Sequence, residues 1–258
     1  MLDSPAARAL LLSLLAGAST LLGAAVVFAT RRKSEKLITV SLGFAAGVML
    51  SVSFTDLFPN ARDALTAWGG PRPGALLSVA GLAGGILLAG LIDRLVPHEA
   101  FDPAAGEAPH KNLFRVGFVS TLAIGLHNFP EGIATFMAGY EDMTLGVTIA
   151  VAIALHNIPE GISVAMPIWY ATGSRRKAFQ YTLISGLAEP VGAVLAFLVL
   201  RPFINDLVLG LLFGAVAGIM VYIAVEELIP SSRQYGHDHA GLVATFAGVC
   251  LMPLTHLL

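Results

Sequence analysis

The chain has 258 residues, of which 56% are hydrophobic and only 12% are charged, and its formal net charge is −2. Because soluble domains average about 25% charged residues, this composition excludes a water-soluble enzyme and a disordered chain, and the charge balance argues against nucleic acid as a partner. A single cysteine, Cys250, excludes an intrachain disulfide and a cysteine metal cluster. The composition therefore predicts an all-α polytopic membrane protein.

Eight segments are long and apolar enough to cross a bilayer as helices, which requires about 20 residues each. They cover residues 9–29, 37–58, 74–95, 116–139, 144–169, 178–200, 205–229 and 241–258. The first segment has the alternative interpretation of a signal peptide, but the basic run that ends it favours a retained span. The connections are short, so we expect a single transmembrane domain over residues 1–258.

The longest connection, residues 96–115, is rich in proline and predicts a flexible loop. Basic residues indicate the orientation. If the first connection is cytoplasmic, the inside set holds 11 of the 15 basic residues: Arg31, Arg32, Lys33, Lys36, Arg94, Lys111, Arg115, Arg175, Arg176, Lys177 and Arg233. The outside set is Arg8, Arg62, Arg72 and Arg201. The positive-inside rule therefore predicts that both termini lie outside and that the 96–115 loop is cytoplasmic.

A polar motif occurs twice inside the predicted membrane region, where ionisable residues are rare and usually mark a functional path. The two copies are His127-Asn128-Phe129-Pro130-Glu131-Gly132 in span 4 and His156-Asn157-Ile158-Pro159-Glu160-Gly161 in span 5. Five of the six residues agree between the copies. A duplication of such residues predicts a shared site rather than two unrelated packing details.

The spacing within each copy brings donor groups together. Residues i and i+4 share a helix face, so His127 lies over Glu131 and His156 lies over Glu160. When spans 4 and 5 face each other, these pairs form one site, and the asparagines that follow the histidines form a second with the glutamates shared. Imidazole and carboxylate suit zinc, iron, manganese and cobalt, whereas an all-oxygen position suits harder ions. A proton relay without metal is the alternative interpretation.

Proline and glycine flank each of these glutamates. The proline cannot donate a backbone hydrogen bond, so it leaves a carbonyl free beside the site. Gly132 and Gly161 allow another helix to approach closely. Span 6 continues the pattern with Glu189-Pro190-Val191-Gly192, which makes Glu189 the third carboxylate of the predicted site.

Spans 2 and 7 contain a weaker repeat. Residues 47–59 and 218–230 share Gly, Met, Leu and Pro at equivalent positions, and Asp56 aligns with Glu227. Because these spans cross in opposite directions, the pattern predicts a 3+2+3 arrangement, with inverted repeats of spans 1–3 and 6–8 around spans 4 and 5. Asp56 would then lie at the outer mouth of a pathway and Glu227 at its inner mouth. Ordinary helix-end caps are the alternative interpretation.

The duplicated motif, followed by Ser185-Gly-Leu-Ala-Glu189-Pro190, resembles the ZIP (Zrt/Irt-like) metal-ion transporters and is most similar to their bacterial ZupT-type branch. The resemblance covers the whole chain. It implies uptake of divalent metal into the cytoplasm across the bacterial inner membrane. Zinc would be the first substrate, with iron, manganese, cobalt and cadmium as further substrates, and no catalytic cofactor is implied.

The resemblance also implies a two-metal site. His127, Glu131, His156 and Glu160 match the ligands of the first metal, and Asn128, Glu131, Asn157, Glu160 and Glu189 match those of the second. It further implies an elevator-like motion of spans 4 and 5 against spans 2 and 7, and a homodimer in membrane lipid. One departure is that the 96–115 loop lacks the histidine-rich stretch of many relatives, so metal sensing by this loop is doubtful.

Two other function classes remain as alternatives. An intramembrane zinc-dependent hydrolase would activate water on a zinc ion, but the His-Glu-x-x-His spacing is absent. A metal-gated channel would conduct without saturating at low metal concentration. The His237-Asp238-His239 cluster, on the predicted cytoplasmic side, is interpreted as a solvated polar loop, and the collection of ions that leave the pathway is the alternative interpretation.

Overall fold

The computed structural model describes residues 4–30, 33–95, 113–200, 202–203 and 205–255. These residues form eight helices. The helices are α1 (Pro5–Ala29), α2 (Glu35–Gly69), α3 (Pro71–Leu95), α4 (Leu113–Glu141), α5 (Met143–Thr172), α6 (Arg175–Leu200), α7 (Asp206–Ser232) and α8 (Asp238–Thr255). Within the described ranges, six of them are long and apolar enough to cross a membrane, namely α1, α2, α3, α5, α6 and α7. The chain is therefore a helical, integral membrane protein.

The other two helices differ from the six for separate reasons. Helix α8 is apolar but shorter. Helix α4 has 29 residues, which is ample length, but His127, Asn128 and Glu131 interrupt its apolar sequence. The predicted 96–115 loop lies outside the described residues up to 112, and residues 113–115 are the first turn of α4 rather than loop. Residues 256–258 of the predicted last span also lie outside the described part.

Short connections with defined caps join neighbouring helices. The Asp142 Oδ1 atom accepts a hydrogen bond from the backbone N–H of Thr144 at 2.7 Å and caps the start of α5. Gly70 joins α2 to α3 with φ 88°, and Gly173 ends α5 with φ 68°. Glycine enters this left-handed region without steric cost. These tight connections place consecutive helices side by side.

The helices pack into two groups. Helices α1, α4, α5 and α6 pack mainly on one another, and we call them the site bundle. Helices α2, α3, α7 and α8 form the flanking bundle, in which α2 packs along α8 and α3 packs along α7. The two bundles meet mainly where α2 lies against α5 and α7 lies against α4. The predicted functional helices therefore belong to one bundle, and the helices of the weaker repeat face them from the other.

Helices α2 and α7 each contain one wide, π-helical turn at equivalent places. In α2 it spans Ser53–Leu57, and the N–H of Phe58 donates to the carbonyl of Ser53. In α7 it spans Ile223–Leu228, and the N–H of Ile229 donates to the carbonyl of Ala224. The proline that follows each turn lies in the first turn of the next α-helical stretch, where its missing N–H costs no bond. For this reason α2 continues beyond the predicted end at residue 58 and reaches Gly69.

Large apolar side chains cover the outside of the molecule. Leu76, Leu87 and Leu95 of α3 are 74%, 73% and 77% exposed. Conversely, the fully buried side chains include many polar and charged groups of the site bundle. A surface of exposed leucines around a polar interior suits lipid rather than water as the surrounding medium.

Helices α3 and α7 cross through small residues. A Cβ atom on Gly85 would overlap the backbone carbonyl of Ala215, and one on Gly218 would overlap that of Leu82. A Cβ atom on Gly84 would meet no atom of the described residues within 4 Å. The close crossing therefore depends on Gly85 and not on its neighbour.

We expect Gly85→Val to destabilise the protein by about 1–3 kcal/mol or more, because the new side chain must push the α7 backbone away. Gly84→Val is the matched control, since it makes the same change one residue away on an open face. Thermal unfolding of both variants in detergent checks this expectation. Equal unfolding temperatures for the two variants would contradict the close crossing.

Candidate metal centre

The two copies of the motif meet at the contact between α4 and α5. His127 Nε2 lies 3.2 Å from Glu131 Oε1 and 3.2 Å from Glu160 Oε1, and His156 Nε2 lies 3.0 Å from Glu131 Oε1. The two imidazole ring centroids are 6.1 Å apart. Four predicted ligands therefore surround one point between the helices.

The contacts cross between the helices more than the sequence predicts. The i, i+4 pair of His127 with Glu131 is present as expected. His156, however, contacts Glu131 of the facing helix, and His127 contacts Glu160 of the facing helix. The cross-pairing arises because α4 and α5 pack with their motifs at the same depth. The donor atoms of His127, His156 and Glu160 all lie within 4.8 Å of one another, a spacing that one metal ion can bridge.

The buried polar atoms of this site are poorly satisfied by protein groups. Every residue involved is at most 5% exposed. Within the part of the chain that the structure describes, several of their atoms have no hydrogen-bond partner: both ring nitrogens of His127, Asn128 Oδ1, Glu131 Oε2, Asn157 Oδ1, both oxygens of Glu160, and Glu189 Oε1. Buried acceptors are normally paired, and several unpaired ones pointing into one site indicate a missing positive partner.

Hydrogen bonds from the amide groups orient the two asparagines. Asn128 Nδ2 donates to the carbonyl of Ser185 at 3.1 Å. Asn157 Nδ2 donates to the carbonyl of Ala16 at 3.0 Å and to Glu189 Oε2 at 3.0 Å. In both residues the amide nitrogen is engaged by these acceptors, so the Oδ1 atom remains available as an oxygen donor. Asn157 also links Glu189 to the motif of α5.

Close packing of α6 on α4 determines where Glu189 lies. A Cβ atom on Gly132 would overlap the backbone carbonyl of Glu189, and a Cβ atom on Gly192 would overlap that of Phe129. The close approach predicted at Gly132 is confirmed, and at Gly161 the same kind of approach brings in the Thr20 carbonyl of α1. The third carboxylate is therefore held beside the first two by backbone contact.

A cavity of about 390 Å³ reaches the site from one end of the molecule. His156 and Glu131 line its inner part, and Asp56, Asn60 and Leu209 line it further out. The remaining lining is largely apolar and comes from α2, α4, α5, α7 and α8. The predicted outer-mouth residue Asp56 is thus connected to the site through open space.

Glu227 lies at the opposite end of α7 and has partners that the sequence interpretation missed. Arg115 Nη1 lies 2.9 Å from Glu227 Oε1, and Arg115 Nη2 pairs with Asp93 Oδ1. The sequence predicts Arg115 in a loop. It does not predict a partner role for Asp93, because an acidic residue beside Arg94 at the end of a span is ordinary. The sequence feature that could have indicated this ion pair is the position of Asp93 within the predicted span at 74–95.

The histidines of the His237-Asp238-His239 cluster and the two methionines of the weaker repeat lie apart from the site. His237 and His239 are exposed at the start of α8, and Met49 and Met220 are buried in the main apolar core.

The chain is similar to known proteins over nearly its whole length. Residues 97–255 match the family described as ZIP zinc transporters. A protein of Streptococcus mutans named zinc transporter ZupT is 44% identical over 97% of this chain and 97% of its own length. Proteins of the same name from Oceanobacillus iheyensis and Chlorobium chlorochromatii are 45% and 46% identical, over 97% and 96% of both chains respectively. The chain belongs to the ZIP family of zinc transporters.

Proposed function

We propose that this protein carries divalent metal cations, zinc first, across the membrane into the cytoplasm through the site between α4, α5 and α6. The observation that carries the proposal is the convergence of two histidines and three glutamates in a buried site with unpaired donor atoms. With neutral histidines, the three carboxylates bring a charge of about −3 into a region of low dielectric constant, and a divalent cation offsets most of it. The names of the relatives, which are zinc transporters, support zinc as the substrate.

The geometry of the first position suits zinc. Four donors at about 2.0 Å from a tetrahedral zinc ion lie about 3.3 Å apart. The imidazole nitrogens lie 3.0–3.2 Å from the carboxylate oxygens, which is close to that spacing. His127 Nε2 makes these contacts without hydrogen-bond geometry to either oxygen, as expected for donors aimed at a common centre. Iron, manganese, cobalt and cadmium are proposed as further substrates because they accept the same ligands.

A second, oxygen-rich position would lie beside the first. Asn128 Oδ1, Asn157 Oδ1 and Glu189 Oε1 are the unpaired atoms that support it, with Glu131 and Glu160 shared between the positions. Oxygen donors alone hold borderline ions less tightly than donor sets that include imidazole. We therefore propose this position as a stop through which an ion passes rather than its tightest site.

Access to the site is proposed to alternate between the two sides of the membrane. The cavity lined by Asp56 and Asn60 supports a route from the outside, and the ion pair of Arg115 with Glu227 joins the two bundles at the opposite end. We propose eight membrane spans, with the 96–115 loop on the cytoplasmic side and both termini outside. The distribution of basic residues supports this orientation in the bacterial inner membrane.

The helix packing supports the proposed 3+2+3 arrangement of inverted repeats. Helix α6 packs on α4 as α1 packs on α5, and α3 packs on α7 as α8 packs on α2. The wide turns of α2 and α7 also occupy equivalent places. Two bundles that meet along a limited set of helices suit an elevator-like movement of α4 and α5 against α2 and α7. A homodimer would use the exposed apolar surface, which otherwise contacts lipid.

The first functional prediction concerns Glu160→Gln. Zinc at about 100 times its dissociation constant should stabilise the wild type by about 2.7 kcal/mol. We expect the variant to lose this shift and to lose saturable zinc uptake into proteoliposomes. Without zinc, its unfolding temperature should equal or exceed that of the wild type, because one unpaired buried carboxylate is removed.

Glu35→Gln is the control for this experiment, since Glu35 is an exposed glutamate at the start of α2. Normal zinc uptake by Glu160→Gln would overturn the site assignment, and absence of saturable uptake by the wild type would overturn the proposed function.

The second prediction concerns pH. Protons compete with zinc for the lone pairs of the histidines and carboxylates, so zinc binding should weaken when the pH is lowered from about 8 to about 5.5. The measurement is the zinc-dependent rise in unfolding temperature at each pH, relative to the zinc-free protein at the same pH. A rise that is independent of pH would argue against imidazole ligands.

The third prediction concerns Asp56→Asn. Asp56 lines the cavity but lies on α2, whereas the proposed zinc ligands lie on α4, α5 and α6. Its charge should therefore raise the local cation concentration rather than bind the transported ion. We expect the half-saturating zinc concentration to rise about two- to fivefold at low ionic strength, with the maximal rate unchanged and the difference reduced by salt. A loss of maximal rate instead would make Asp56 a ligand.

A further inference from the structure

One ion-pair cluster joins the two bundles at the end of the molecule away from the cavity. Arg115 is on α4 of the site bundle, whereas Asp93 and Glu227 are on α3 and α7 of the flanking bundle. Arg115 Nη1 lies 2.9 Å from Glu227 Oε1, and Arg115 Nη2 pairs with Asp93 Oδ1. One guanidinium therefore holds two carboxylates that belong to the other bundle.

The position of this cluster along the helices is opposite to that of the cavity. On α4, Arg115 lies about 18 Å before His127 along the helix axis, at a rise of about 1.5 Å per residue. The cavity-lining residue Met137 lies on the other side of His127 along the same helix. On α7, Leu209 and Phe213 line the cavity. Glu227 lies about 21 Å beyond Phe213 along the helix axis. The metal centre is thus open towards one end, and this cluster joins the two bundles towards the other end.

The two carboxylates of the cluster are buried within the flanking bundle. Asp93 is 5% exposed and Glu227 is 3% exposed. The hydroxyl of Tyr222, one helical turn before Glu227, donates to Asp93 Oδ2 at 3.2 Å. Asp93 is therefore held between α3 and α7 independently of Arg115, and the pair of carboxylates persists as a receptor for a guanidinium that moves with α4.

We propose that Arg115, Asp93 and Glu227 form a latch that keeps the cytoplasmic side closed while the site is open to the outside, and that this latch opens in each transport cycle. The proposal rests on the proposed function, because it requires that the site bundle moves against the flanking bundle. Any such movement must separate Arg115 from at least one carboxylate, since the partners lie on different bundles. Arg115, Asp93 and Tyr222 are then positioning residues that set how often the inner side opens.

The test measures access to the inner half of α4 directly. Ser120 is fully buried and lies on the face of His127, seven residues earlier on α4. Ser120→Cys is placed in a Cys250→Ser background, so that it is the only thiol in the chain. A membrane-impermeant thiol reagent is applied from the cytoplasmic side in inside-out vesicles, and the labelling rate is recorded.

We expect slow labelling with the latch intact and about tenfold faster labelling after Arg115→Gln or Asp93→Asn, because loss of a charge-assisted contact shifts the population towards the inner-open state. The double variant should label no faster than the faster single variant, because both changes break one latch. Arg94→Gln is the matched control, since Arg94 is exposed and adjacent to Asp93, and it should leave the rate unchanged.

Unchanged labelling in Arg115→Gln and Asp93→Asn would overturn the latch. If Arg115→Gln does not fold, Asp93→Asn and Tyr222→Phe decide, and the loss of the Tyr222 hydroxyl should give a smaller increase in rate. Zinc-dependent stabilisation is measured on the same samples. Its absence in the wild type would count against the proposed function, whereas normal stabilisation with unchanged labelling would count against the latch alone.

Discussion

The dominant constraint on this structure is the cost of burying three carboxylates in a membrane protein. Glu131, Glu160 and Glu189 are nearly or fully buried, and the described protein groups leave several of their oxygens unpaired. Isolated charges in such surroundings cost several kcal/mol each, so their retention indicates a positive partner that protein side chains do not supply. The two imidazoles are neutral when they bind a metal ion, so they add donors without adding charge. The site is therefore incomplete by itself, and this incompleteness is what a transported cation relieves.

The packing around the site follows from the need to bring these groups together. Gly132 and Gly192 allow α6 to contact the backbone of α4, and this contact carries Glu189 to the motif. The amide groups of Asn128 and Asn157 are tied to backbone carbonyls of neighbouring helices, which directs their oxygens inward. A site that must release its ion cannot satisfy every donor with protein partners. Rigid backbone contacts can hold the donors in place while leaving them available.

The division into two bundles separates binding from access. The proposed metal ligands all belong to the site bundle, whereas the flanking bundle supplies Asp56 towards one end and Asp93 with Glu227 towards the other. In the proposed movement, the ion would therefore remain bound while its exposure to either side changes. The wide turns of α2 and α7 contain Asp56 and Glu227 respectively, and such turns occur frequently at functional sites. Arg115, the charged partner of Asp93 and Glu227, comes from the bundle that carries the proposed site.

The sequence by itself determined that the chain is a helical membrane protein, and it predicts which residues carry its chemistry. Composition decided the first point, because the apolar surface exceeds what a soluble interior can hold. The duplicated motif supports the second prediction, because helical periodicity brings His127 over Glu131 without reference to other helices. Only the tertiary structure decided the pairing across helices, in which His156 contacts Glu131, and the link of Asn157 to Glu189. It alone revealed Asp93 as a partner of Arg115, because a contact between residues far apart in sequence depends on how helices pack and leaves no local periodic signal.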